Sequence, residues 1–204
     1  MKQLLSGIAL LILVTPYSHA ELKDDDDLYD KAGPNSAFIR IVNLDNESLA
    51  ASVQDQTLLA ADHCAISDTA IVEAGPVDLD GGSWSWQSEL QPQQVYTLAV
   101  QDGSVISFTQ DAIRDPMRAK FEVLNLSAEK RVSVLTSAQG QTVFSDIEPE
   151  SHEARPLNPL RVELKIATGQ SAYVLQPIAF ARGRTTSLII CDGDSNLVST
   201  IVTE

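Results

Sequence analysis

The residues of this chain that could carry covalent chemistry are few. Past its first twenty positions it has two histidines, His63 and His152, two cysteines, Cys64 and Cys191, and a serine at 195 in the run Gly193-Asp194-Ser195-Asn196-Leu197. That run follows the apolar stretch Ser187-Leu188-Ile189-Ile190, so a strand could deliver Ser195 as a nucleophile. A nucleophilic serine needs a base within hydrogen-bond reach and a third group to orient the base. Only nine residues follow Ser195 and none is a histidine, so His63 or His152 would have to serve from far upstream. A polar turn between two strands is the simpler reading of the run. His63 and Cys64 are adjacent, and neighbours on an extended chain point to opposite faces, which suits neither for sharing a proton. A reactive thiolate would also oxidise in an exported protein. The histidines and cysteines show no metal-ligand spacing, and no glycine-rich phosphate loop is present. The expectation is a chain with no catalytic residues, no metal and no cofactor.

The elements around these residues place the protein outside the cytoplasm. Lys2, the apolar run Ile8 to Val14 and the small residues of Ser18-His19-Ala20 form a secretory signal peptide over 1–20. Its apolar core is shorter than the roughly 20 residues a spanning helix requires, so the mature chain is expected to be soluble and periplasmic. The formal net charge is −14, which excludes nucleic acid as a partner by repulsion from its phosphates. Residues 21–36 form an acidic, extended lead-in containing Asp24 to Asp27, with no alternation of ligands suited to calcium. Leu28 and Tyr29 interrupt it as an apolar pair, a candidate for docking onto a partner protein. Cys64 and Cys191 lie 127 positions apart. In an oxidising compartment they form either a disulfide tying distant parts of the chain together or two separate buried thiols.

From Ala37 onward the pattern is β. Short runs such as 37–42 (AFIRIV), 49–53 (LAASV) and 95–100 (VYTLAV) are separated by Asn, Asp, Gly and Pro clusters. Asn43 to Ser48 reads as a first hairpin turn and Asp80-Gly81-Gly82 as another. Trp84 and Trp86 alternate with serines, so both indoles share one strand face. That face is either core or a platform for stacking a sugar. The stretch 161–166 (RVELKI) alternates as a single strand. The chain also repeats itself: 39–45 (IRIVNLD) matches 121–127 (FEVLNLS), and 96–103 (YTLAVQDG) matches 186–193 (TSLIICDG). The organisation that follows is all-β, with two tandem antiparallel β-sandwich domains over 37–110 and 119–204 joined by a short linker at 111–118.

The order of several short blocks is similar to that of the AlgF family of periplasmic adaptors of exopolysaccharide O-acetylation. The blocks are Leu28-Tyr29, Gly33 to Arg40 with Asn43, Val95 to Leu98, Phe121 to Leu126, Asn158-Pro159-Leu160, and Ala181-Arg182-Gly183 before Thr186-Ser187-Leu188. The resemblance implies two β-sandwiches without a triad of their own. It further implies binding to SGNH-like O-acetyltransferases that work with an MBOAT-type membrane acetyl transporter on alginate or cellulose. The competing expectation from the residues alone is an exported carbohydrate-binding module using Trp84 and Trp86.

Overall fold

The computed structural model describes residues 32–112, 115–128, 130–169, 171–193 and 197–203. Residues 1–20, expected to be a signal peptide, and Leu28, Tyr29 and Ser195 lie outside them. In the first half the strands are β1 (Ser36–Asn43), β2 (Leu49–Val53), β3 (Gln56–Ala60), β4 (Ala70–Glu73), β5 (Gly75–Asp80), β6 (Ser85–Leu90), β7 (Gln94–Gln101) and β8 (Ser104–Asp111). They form two sheets, β4-β1-β7-β8 and β3-β2-β5-β6. Ala37, Ile39 and Ile41 of β1 and Leu98 and Val100 of β7 meet Leu58, Leu79 and Trp84 from the second sheet in one core.

The second half contains β9 (Ala119–Asn125), β10 (Val132–Thr136), β11 (Thr142–Ile147), β12 (Ser151–Leu157), β13 (Leu160–Val162), β14 (Leu164–Thr168), β15 (Ser171–Val174), β16 (Ile178–Phe180), β17 (Thr185–Asp192) and β18 (Leu197–Thr203). Its sheets are β12-β9-β17-β18, β11-β10-β14-β15 and the short pair β13-β16. Phe121, Phe144 and Phe180 stack at its centre, with ring centroids 5.4 and 4.8 Å from Phe121. The architecture is all-β, two sandwiches in tandem. Within each half the strands are antiparallel except at one pair: β1 runs parallel to β7, and β9 parallel to β17.

The repeat seen in the sequence has a structural counterpart. β1 and β7 are to the first half what β9 and β17 are to the second, and all four are buried on both faces along most of their length. Doubly buried, parallel-paired strands are near-continuous apolar runs rather than alternating ones. One face of each looks into its own sandwich. The other faces the opposite sandwich, where Val42, Leu44, Ala99 and Phe108 pack with Leu124, Leu126, Ile189 and Cys191. The sheets β4-β1-β7-β8 and β12-β9-β17-β18 therefore lie back to back.

Two sequence expectations are corrected. Residues 43–48 do not form a hairpin turn, because β1 and β2 belong to different sheets. The chain crosses between them, and the Asn43 amide holds the crossing by donating to the carbonyls of Glu47 and Ala60. Asn125 does the same in the second half, donating to the carbonyls of Lys130, Ile147 and Glu148. The run 161–166 is not one strand. It breaks at Glu163, whose carbonyl accepts Ser137 N–H, and β13 pairs with β16 while β14 joins β10 and β15. Leu164 and Ile166 still face the core. Alternation reports which face is buried and says nothing about which neighbour the backbone pairs with.

Candidate functional site

At the centre of the back-to-back contact is a buried ionic cluster. Arg40 on β1 is fully buried, as is Glu122 on β9, and Arg40 NH2 lies 2.9 Å from Glu122 Oε2. Arg40 Nε donates to Thr97 Oγ1 at 2.9 Å, and NH1 to Ser187 Oγ at 3.3 Å. Ser187 in turn donates to Glu122 Oε2 at 2.8 Å. Arg40 and Thr97 are register partners across β1 and β7, and Glu122 and Ser187 are register partners across β9 and β17. The four residues occupy equivalent positions of the two repeats, with opposite charges placed where the halves meet. A buried charge is tolerated only when it is paired and hydrogen-bonded, and each half here supplies the other's counter-charge.

A second link lies at one end of the same interface. Cys64 and Cys191 are joined in a disulfide with Cα atoms 5.9 Å apart. Beside it, His63 Nδ1 is 3.0 Å from the Leu44 carbonyl and Nε2 is 2.7 Å from the Asp192 carbonyl. Asp192 anchors the adjoining turn by accepting from Lys130 Nζ at 2.7 Å and Ala128 N–H at 2.8 Å. Burial works to raise the Asp192 carboxyl, but those two hydrogen bonds and the charges of Lys130 and His63 outweigh it and hold the group below its ordinary value. His152, on β12, sets its ring edge against Phe108 at 5.6 Å.

The indoles separate. Trp84 is 3 % exposed and packs in the first core, so it has no ring face to offer a sugar. Its role as a stacking platform is withdrawn on that ground. Trp86 is half-buried on β6 and tilts against Tyr96 at 5.9 Å. Gly81 allows Trp84 to sit where it does, since a Cβ on Gly81 would overlap the indole. No group of three or more metal-ligating side chains occurs among the described residues.

The sequence reading missed Arg40, Thr97, Glu122 and Ser187. An arginine in an apolar strand reads as the wet face, yet aligning Asn43 with Asn125 already sets Arg40 opposite Glu122. It also missed a cleft of about 220 Å³ at one end of the second sandwich, walled by Arg118, Lys120, Arg155, Arg184, Asp115 and Pro156.

Fold and interface together define a tandem β-sandwich protein whose halves are joined by a disulfide and a shared buried ion pair. The chain belongs to the AlgF family: the family's model, described as alginate O-acetyl transferase AlgF, matches residues 10–187. It is 30% identical over 178 residues to an alginate biosynthesis protein AlgF of Pseudomonas aeruginosa, covering 85% of this chain and 82% of that one. It is 24% identical over 200 residues to an alginate biosynthesis protein AlgF of Pseudomonas fluorescens, covering 96% and 91%. A solved structure of the C-terminal domain of AlgF from P. aeruginosa matches with 28% identity and a TM-score of 0.40, covering 43% of this chain and 99% of that one.

Proposed function

We propose that this protein is a non-catalytic periplasmic adaptor in the O-acetylation of an exopolysaccharide. Alginate is the polymer favoured by the relatives' names, with cellulose the alternative. Its partners in this reading are SGNH-like acetyltransferases and the MBOAT-type membrane transporter that feeds them, and Leu28 and Tyr29 form one contact. The observation that carries the reading is membership of a family whose relatives are named for alginate biosynthesis, in a chain whose described cysteines and histidines are structurally engaged. Both cysteines are in the disulfide. Both nitrogens of His63 face backbone carbonyls, and His152 packs on an aromatic ring. A triad needs an imidazole nitrogen turned toward a hydroxyl or thiol, and neither ring is so placed among the described residues.

The test is capture of a periplasmic SGNH-like acetyltransferase from the same organism by the mature chain 21–204 and by a chain lacking 21–36. Capture by the first and loss in the second is the expected result. Failure of both to capture it would overturn the adaptor reading. The description of the family as a transferase sets a second check: Ser195→Ala should leave polymer acetylation intact, and its abolition would reinstate catalysis.

A further inference from the structure

The sheets of both sandwiches are open, so each ends in strands with one unpaired backbone edge, and most of these edges are blunted. An unguarded edge recruits other strands, which is why short lengths, charge, proline and bulges recur there. On β4, Gln56 accepts the Ile71 N–H at 3.2 Å and donates back to the Ile71 carbonyl, while Gln54 accepts the Glu73 N–H at 3.4 Å. β12 carries Pro156 together with Glu153 and Arg155. β11 shifts register twice against β10, and its Val143 carbonyl takes Arg155 NH1. β8 ends on Asp111, whose carbonyl accepts Lys120 Nζ at 3.0 Å. β6 carries Glu89, and β3, β13, β15 and β16 are three to five residues long.

β18 has none of these devices. Its seven residues, Leu197–Thr203, include no charge and no proline, and they pair with β17 without a register shift. No described strand takes its other edge. Leu197 packs against the second core, and alternation puts Ser199 and Ile201 on the same face of the strand. Ile201 is 38 % exposed there, one of the few large apolar side chains that the described surface shows.

We propose that β18 is a self-association surface, through which two copies of this chain pair antiparallel about a two-fold axis at Thr200. The strand is self-complementary in that register. Ser199 falls opposite the partner's Ile201 and Leu197 opposite the partner's Thr203, and the symmetry repeats each pair. The two Ile201 side chains become diagonal neighbours on one face, close enough to cover each other. Charge selects this edge over β8, the other long edge strand whose interior is uncharged. Between residues 37 and 110 the sequence holds ten carboxylates and a single cation, whereas 119–204 holds ten carboxylates and eight cations. Pairing through β8 would bring two acidic sandwiches together, and pairing through β18 brings together two that are nearly balanced. The inference does not rest on the adaptor reading, since it uses only the edges and the charges.

The experiment is sedimentation equilibrium of the mature chain over a wide range of concentration, at low and at high salt. Ile201→Lys places a charge of the kind that guards natural edges and sets two like charges diagonally across the axis. Ser107→Lys makes the same change at an exposed position of β8. Thermal unfolding verifies that each variant is folded. The expected result is a monomer–dimer equilibrium that strengthens with salt, because each copy carries a formal charge of the same sign, −14. Ile201→Lys should weaken the dimer at least about tenfold, and Ser107→Lys should leave it unchanged. Thr200→Cys reads the register: two cysteines facing one another across the axis should oxidise to a covalent dimer that a reductant separates, whereas Ser107→Cys should not. A monomer at every concentration, or equal dimerisation by folded Ile201→Lys, would overturn the proposal. So would a monomeric chain whose capture of the acetyltransferase is lost in Ile201→Lys, since the edge would then take a strand of that enzyme. Dimerisation without capture supports this inference and removes the adaptor reading instead.

Discussion

The Arg40–Glu122 pair illustrates how a single residue can specify an interface without being a net source of stability. Moving both charges from water into the contact costs several kcal/mol per ion, and the attraction between them roughly offsets that cost. Removing one partner is a different matter, because the other is left buried and uncompensated. Arg40→Met is therefore expected to destabilise the protein by about 3–5 kcal/mol, and Arg40→Met/Glu122→Leu to recover most of the loss. Urea unfolding of both single variants and the double one measures the coupling; additive losses would show that the two charges do not depend on one another. Asp192 sets a separate pH dependence. Its carboxyl is held below its ordinary value when folded, so it contributes stability above the unfolded value of about 3.9. That contribution is lost as pH falls through the lower, folded value. Asp192→Asn should flatten the acid side of the stability–pH curve between those two values while leaving the curve's shape at neutral pH unchanged. An unaltered acid limb would show that the contacts to Lys130 and Ala128 do not set it.

Among the strands, those read best from sequence were the ones with a clear local signature. Runs 37–42, 49–53 and 95–100 lie within β1, β2 and β7, and the repeated Asn43 and Asn125 mark the same crossing in each half. The pairing partners were not legible, since side-chain alternation is identical whether a strand lies beside its sequence neighbour or one sheet away. Hence the hairpin expected at 43–48 and the unbroken strand at 161–166 both gave way to crossings between sheets. The doubly buried strands hid the interface for a related reason. A run such as Phe38-Ile39-Arg40-Ile41 marks burial on two sides without naming what covers the second. At this scale Gly81 is the sharpest test. Gly81→Ala would drive a methyl into the Trp84 indole, and overpacking of this kind costs about 1–3 kcal/mol. The expected signature is a lowered urea midpoint with a shifted tryptophan emission; unchanged emission would mean that the turn yields and the ring stays put.

For the molecule as a whole, the question is what keeps two sandwiches together. A covalent link and a buried contact both act, and they act on different states. The Cys64–Cys191 bridge closes a loop of 127 residues, so it restricts chiefly the unfolded chain. The apolar contact of Val42, Leu44 and Phe108 with Leu124, Leu126 and Ile189 and the ionic cluster beside it act in the folded state. If the folded contact is sufficient, Cys64→Ala/Cys191→Ala should lose about 2–4 kcal/mol yet unfold in one transition, with both halves melting together. Adding Arg40→Met to that variant then removes the cross-interface charge pairing as well, and two separate transitions should emerge in calorimetry. A disulfide-free protein that already melts in two steps would assign the coupling to the bridge alone. The acetyltransferase capture assay then acquires a structural meaning. A partner that grips both sandwiches should be captured less well by the triple variant than by the disulfide-free one, whereas a partner held only through the lead-in before Ala37 should not distinguish them.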